Sequence, residues 1–197
     1  MKFPELKAIA ALTFIMPIFF AVMWVSSAAV DGSWTFGVNS LSDMGISDNA
    51  VSAFLFNFGC IVTGISGIVI GLGLFAYGKR TVRVSGILYI VSMFFLALVG
   101  VFTLDNYPMH SFVASSFGLT MYISIIVSSV SDWRLSWYLY FDVVFITTTS
   151  IIVATQPFPM WEALLTIASM IWIAITGYKI VIREESLFSD VPRFGSD

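Results

Sequence analysis

The reactive side chains of this sequence begin with its one histidine, His110, which follows Asp105 in a polar break between two apolar runs. Pro108 lies between the two residues and favours a turn at this point. A carboxylate beside an imidazole can orient the ring as a general base or raise its pKa. Asp105 and His110 are therefore predicted as a catalytic pair. The alternative is an aspartate in a solvated loop, followed by an interfacial histidine at a helix start.

A second polar break begins at Asn39, ends at Asp48 and contains Ser42 and Asp43. Its amide, hydroxyl and first carboxylate are predicted to bind a ligand. Carboxylate and amide oxygens also suit Ca²⁺ or Mg²⁺, so Asp43 and Asp105 are candidate ligands of a divalent cation, the cofactor that these residue types allow. The structural alternatives are that Ser42 or Asp43 caps a short helix and that Asp48 caps the apolar run that follows.

Two further polar side chains lie inside apolar runs, where lipid offers no hydrogen-bond partner. Asn57 lies about 12 Å into the second run, at 1.5 Å per residue, and the Ser42–Asp43 segment folding back over it is its predicted partner. Asp142 lies in the fifth run, ahead of the hydroxyl-bearing residues 147–150. An acid at this depth predicts a proton or ion relay. The alternative is an interfacial acid that contacts water or Arg134.

The composition excludes several classes of protein. Of the 197 residues, 58% are hydrophobic and 11% are charged, whereas soluble domains carry about 25% charged residues. A single cysteine and a single histidine exclude an intramolecular disulfide and a zinc site built from several such ligands. The sequence contains no phosphate-binding loop, dinucleotide fingerprint or nucleophile elbow, and no basic tract for nucleic acid.

Six apolar runs are long enough to cross a membrane, which requires about 20 residues each. The predicted fold is therefore an all-α bundle of six transmembrane helices with very short loops. The spans cover residues 8–30, 49–77, 84–103, 111–130, 136–154 and 160–182, all within one transmembrane domain, 1–182. Residues 183–197 are predicted to form a short polar tail.

The basic residues predict the orientation of this bundle. With six spans, every lysine and arginine falls on the side that carries both termini, and the opposite loops contain acids only. The positive-inside rule makes the basic side cytoplasmic, so we expect a multi-pass protein of the plasma membrane with both termini inside. The basic residues are Lys2, Lys7, Lys79, Arg80, Arg83, Arg134, Lys179, Arg183 and Arg193.

Gly67 and Gly71 lie four residues apart in the second span, so they share one helix face and permit close approach of another helix. This spacing predicts a seam for a partner helix. The alternative is packing within the bundle.

Short motifs in the two polar breaks and the second span resemble a known family. They are Ser40-Leu-Ser-Asp-Met-Gly45, Phe54-Leu-Phe-Asn-Phe-Gly59 and Val99-Gly-Val-Phe102 with Asp105, Pro108 and His110. The pattern resembles the domain of unknown function 998 family over nearly the whole chain and is distantly similar to the FRAG–DRAM–Sfk group. The resemblance implies about six spans, and some members of the latter group act on lipid anchors or lipid organisation. The positions that it marks are Ser42, Asp43, Gly45, Asn57, Gly59, Asp105 and His110.

Three functions follow as hypotheses. The first is a lipid-directed protein that binds or modifies a headgroup in an outer polar pocket, with membrane lipids as its partners and His110 as base. The absence of outer lysine or arginine argues against bare phosphate as the ligand unless a divalent cation bridges the acids. The second is a non-catalytic subunit of a larger membrane complex, and the third is a small transporter or channel that uses Asp142.

Overall fold

The computed structural model describes residues 5–131 and 136–182, and these residues form helices with no β-strand. The six long helices are α1 (Leu6–Asp31), α2 (Ala50–Tyr77), α3 (Arg80–Val99), α4 (Tyr107–Ser131), α5 (Ser136–Thr155) and α6 (Phe158–Val181). One 3₁₀ helix, Leu41–Ile46, lies between α1 and α2. The predicted tail, 183–197, lies outside the described residues.

All six long helices are long and apolar enough to cross a membrane, which confirms the predicted all-α architecture. The helix bounds differ most from the predicted spans around the third and fourth helices. Helix α3 begins at Arg80 rather than residue 84, and α4 begins at Tyr107 rather than residue 111. Pro108 therefore lies in the first turn of α4, where a proline fits because its missing N–H would have no helical partner.

Small residues bring α2 and α3 close together. A Cβ added at Gly64 would lie 2.6 Å from the main-chain nitrogen of Ala97 and 2.6 Å from the main-chain oxygen of Met93. Gly67 faces Met93 and Gly71 faces Ile90 in the same way. The face predicted as a seam for a partner helix is thus occupied by α3 of the same chain, so packing within the bundle accounts for Gly67 and Gly71.

Reciprocal serine pairs hold two of the helix hairpins together. Ser27 donates to the Ser52 carbonyl oxygen at 2.9 Å, and Ser52 donates to the Ser27 carbonyl oxygen at 3.0 Å. Ser85 and Ser124 make the same exchange between α3 and α4, at 2.9 and 3.0 Å. All four residues are buried. Each hydroxyl donates to the carbonyl oxygen of its partner serine, because lipid offers no acceptor.

The helices run antiparallel in chain order, so one end of the bundle gathers the ends of α1 and α3 with the starts of α2, α4 and α6. We call this the loop end. The 3₁₀ helix lies there and contacts α1, α2 and α6. The loop end thus brings together the two polar breaks of the sequence.

Candidate functional site

The 3₁₀ helix is stabilised at its start by Asp43. The Ser40 main-chain N–H donates to Asp43 Oδ2 at 2.7 Å, and the Asp43 N–H donates to the Ser40 carbonyl at 3.3 Å. This is the arrangement in which a short helix caps its own first turn. Asp43 therefore caps the short helix, which was the structural alternative to ligand binding, because its Oδ2 accepts the first main-chain N–H.

Ser42, on the same short helix, points to the start of α4. Its Oγ lies 2.9 Å from His110 Nε2, and His110 Nδ1 lies 2.7 Å from the Phe102 carbonyl oxygen. A carbonyl only accepts, so Nδ1 carries a proton. In the neutral imidazole Nε2 then holds the lone pair and accepts the Ser42 hydroxyl. A serine hydroxyl that donates a hydrogen bond to the unprotonated nitrogen of an oriented imidazole has the geometry of an activated nucleophile.

This pair is enclosed by protein. The residues Ser42 and His110 are 6% and 5% exposed. The first turn of α4 positions His110, whose N–H donates to the Asn106 carbonyl at 2.9 Å. Ser42, His110 and the Phe102 carbonyl therefore come from three different parts of the loop end, which are the 3₁₀ helix, the start of α4 and the turn after α3.

The hydrogen bonds of Asp105 and His110 go to other partners, and a catalytic role for Asp105 stays a prediction. The Phe102 carbonyl orients the imidazole of His110. Asp105 is exposed and accepts a hydrogen bond from Thr103 Oγ1. That hydrogen bond holds the pKa of the Asp105 carboxyl below its ordinary value. The alternative of a solvated loop aspartate describes Asp105, but His110 is buried rather than interfacial.

Asn57 anchors the 3₁₀ helix to α2. Its Nδ2 donates to the Gly45 carbonyl oxygen at 2.9 Å, and a Cβ added at Gly45 would lie 2.6 Å from Asn57 Oδ1. The polar break does fold back over the second span, as predicted. The partner is the main chain at Gly45, however, rather than the side chain of Ser42 or Asp43.

Glu162 is the residue of this site that the sequence interpretation missed. From α6 its Oε2 accepts the Leu41 main-chain N–H at 2.8 Å, one residue before Ser42. Its charge also interacts with that of Asp43. An acid in the first turns of the last apolar run, on the side of both polar breaks, was the available signal.

Two other polar residues have local roles. Asn39 accepts the Thr35 N–H at 2.9 Å within its own loop, and its role in ligand binding stays a prediction. The cap of α2 is Asn49 rather than the predicted Asp48. Asn49 accepts the Val51 N–H at 3.0 Å and donates to the Val30 carbonyl at 3.0 Å, so it also ties α2 to α1.

The described residues contain no group of three histidine, cysteine, aspartate or glutamate side chains that could hold a metal ion. Asp43 and Asp105, the predicted ligands, already accept hydrogen bonds from Ser40 and Thr103. A divalent cation at the loop end stays a prediction.

Asp142 lies at the other end of the bundle. It is 1% exposed, so the interpretation as an acid in contact with water is wrong. Lys179 on α6 is 4% exposed, and its Nζ lies 4.7 Å from the centre of the Tyr138 ring, one turn before Asp142 on α5. The hydroxyls after Asp142 point in several directions, and Ser150 Oγ lies 2.8 Å from the Tyr122 hydroxyl. Arg134 lies outside the described residues.

A family model described as "Protein of unknown function (DUF998)" matches residues 14–179. No curated protein and no solved structure matches the chain. The more distant similarity to the FRAG–DRAM–Sfk group stays a prediction. The matched segment begins in α1, ends in α6 and includes the 3₁₀ helix and His110. The chain therefore belongs to the domain of unknown function 998 family, as its motifs predict.

Proposed function

We propose that this membrane protein acts on lipids by acyl transfer or ester hydrolysis at the loop end, with Ser42 as nucleophile and His110 as general base. The observation that carries the proposal is the 2.9 Å contact between Ser42 Oγ and His110 Nε2, with Nδ1 held by the Phe102 carbonyl. A nucleophile within hydrogen-bond reach of a base that a third group orients is the arrangement of covalent catalysis by serine.

The chemistry balances with these two side chains. Ser42 Oγ attacks the ester carbonyl carbon while its proton passes to His110 Nε2. The bond from that carbon to the alcohol oxygen breaks, and His110 returns the proton to the departing alcohol, which leaves an acyl ester on Ser42. Water, or the hydroxyl of a second lipid, then attacks this ester and gives its proton to His110. The acyl group leaves with the attacker, and Ser42 Oγ recovers the proton.

The position of Ser42 and His110 in the fold supports a lipid as the substrate. Six helices long and apolar enough to cross a membrane support a position of the loop end at the boundary between hydrocarbon and water. Ester bonds of lipids lie at this boundary, below the headgroups. As part of the same proposal, the positive-inside rule puts the loop end on the outer face and both termini in the cytoplasm of a plasma-membrane protein.

The test uses the full chain in vesicles of lipids with isotope-labelled acyl chains. We expect labelled fatty acid or acyl-transfer product from the wild type and a loss of at least about 100-fold with Ser42→Ala or His110→Gln. Ser85→Ala is the matched control, because it also removes a buried, hydrogen-bonded serine hydroxyl but lies at the opposite end of the bundle. A fluorophosphonate probe supplies a second readout by labelling Ser42 covalently. Folded wild-type protein that releases no product and takes up no probe would overturn the proposal.

A second candidate function, a small transporter, is supported by the burial of Asp142 and Lys179 in neighbouring helices. Buried charges inside spans commonly mark ion or proton paths. Proton flux into liposomes that falls with Asp142→Asn would support it, whereas flux unchanged by that variant would remove its basis. A non-catalytic role in a larger complex stays a prediction.

A further inference from the structure

The described cations and most of the described acids lie at opposite ends of the bundle. Five of the seven described acids lie at the loop end, whereas Glu5 and Asp142 lie towards the other end. Every lysine and arginine that the structure describes also lies at that other end, about 25 Å away along α6 at 1.5 Å per residue. The acids of the loop end are Asp31, Asp43, Asp48, Asp105 and Glu162, and the described cations are Lys7, Lys79, Arg80, Arg83 and Lys179.

Two of these acids flank Ser42 directly. Asp43 is the next residue in the chain, and Glu162 accepts the N–H of Leu41, the residue before it. Both residues are partly exposed. A lipid whose ester reaches Ser42 must therefore bring its headgroup into the negative potential of both side chains, without a described cation nearby to balance a phosphate.

We infer that the loop end selects electrically neutral ester lipids and discriminates against anionic ones, with Asp43 and Glu162 as the residues that set this specificity. The inference rests on the proposed acyl transfer at Ser42. Like charges at a site of low polarity oppose binding more strongly than in water. A lipid that carries its own cation beside its phosphate, or no charge at all, escapes this repulsion.

The hydrogen bonds of the two acids make a clean test available. Each carboxylate accepts one main-chain N–H, at 2.7 Å for Asp43 and 2.8 Å for Glu162. The amide variants Asp43→Asn and Glu162→Gln keep the size of the side chain and one acceptor oxygen, and they remove the charge. A shift in lipid preference with these variants would therefore report the charge of the two side chains. If the two acids only stabilised the 3₁₀ helix, the lipid preference would not change.

The experiment compares phosphatidylcholine, phosphatidylglycerol and diacylglycerol with identical labelled acyl chains, in the same vesicles, at mildly alkaline pH. We expect the wild type to release acyl groups from the two neutral lipids about tenfold faster than from phosphatidylglycerol, equivalent to about 1.4 kcal/mol. The double amide variant should bring the ratio towards one, and 1 M salt should do so in the wild type because it shortens the screening length to about 3 Å. Asp48→Asn, which removes one exposed charge from the same end, should change the ratio least.

The outcomes separate the two proposals. Equal turnover of all three lipids, or a preference that neither the amide variants nor salt alters, would overturn the selectivity while leaving acyl transfer in place. No turnover of any of the lipids, with no probe on Ser42, would overturn the proposed function itself.

Discussion

Substituting alanine for Gly45 should lower the free energy of unfolding through its clash with Asn57. An added Cβ would lie 2.6 Å from Asn57 Oδ1 and 3.3 Å from Phe56 Cδ1, whereas ordinary contacts begin at 3.4 Å. The Asn57 amide must therefore retreat by about 0.8 Å or the 3₁₀ helix must lift by a similar distance. Either movement breaks the 2.9 Å hydrogen bond from Asn57 Nδ2 to the Gly45 carbonyl, because donor and clashing oxygen belong to one rigid amide.

The loss of stability in Gly45→Ala is the sum of the steric clash and the lost hydrogen bond. Steric crowding in a packed interior costs about 1–3 kcal/mol, and a lost hydrogen bond costs about 1 kcal/mol. We expect Gly45→Ala to destabilise by about 2–4 kcal/mol. Asn57→Ala alone loses only the hydrogen bond, about 1 kcal/mol, and it also removes the atom that clashes. The double variant should therefore resemble Asn57→Ala, which gives a coupling of about 2–4 kcal/mol between the two sites.

The assay is unfolding in detergent micelles followed by tryptophan fluorescence, for the wild type, both single variants and the double variant. Gly118→Ala is the control, because a Cβ at this exposed position on α4 would have nothing within 4 Å. It should be neutral or stabilising by up to about 1 kcal/mol, the difference in helix propensity. Wild-type stability for Gly45→Ala, or a double variant whose loss equals the sum of the single losses, would refute the reasoning.

Four other predictions concern the interface of α2 and α3 and the loop end. Gly64→Ala should lower the free energy of unfolding by about 1–3 kcal/mol in the same assay, since its Cβ would meet main-chain atoms of α3 at 2.6 Å. Asn49→Ala should cost about 1 kcal/mol through the lost cap, and Asp48→Ala should stay within about 0.5 kcal/mol. Asp105→Asn should change acyl turnover by no more than about twofold, because a main-chain carbonyl orients the imidazole. Thr103→Val should raise the pKa of Asp105 towards its ordinary value in an NMR titration, as the hydrogen bond that lowers that pKa is removed.

The six helices could be predicted from the sequence because the length of an apolar run is a local property. The residues at which the helices begin and end were harder to predict. The third span was predicted to begin at residue 84, since three basic residues precede it, but α3 includes Arg80 and Arg83 in its first turns. Long basic side chains at a helix end can reach away from the apolar region, so charge marks the boundary only to within a turn.

Some residues of the candidate site could be predicted from the sequence, but the contacts between them could not. Ser42 and His110 were both named from their residue types and family motifs. Their contact joins residues 68 positions apart, and the contact between Leu41 and Glu162 spans 121. Such pairings depend on how the ends of α4 and α6 meet the 3₁₀ helix. Helix order places these ends on one side of the bundle, but it does not say which side chain faces which.

The sequence interpretation gave the acids more weight than the serine for a physical reason. Acids stand out in an apolar sequence, and pairs of acids suggest a base or a metal ligand. In the folded chain, however, Asp43 and Glu162 each accept a main-chain N–H from the start of the 3₁₀ helix, a need that exists wherever a helix begins. By holding that start, the acids fix the main chain on both sides of Ser42, and this directs the hydroxyl to the nitrogen that the Phe102 carbonyl leaves unprotonated. The positions that carry charge therefore hold the main chain around Ser42, the uncharged residue that we propose as the nucleophile.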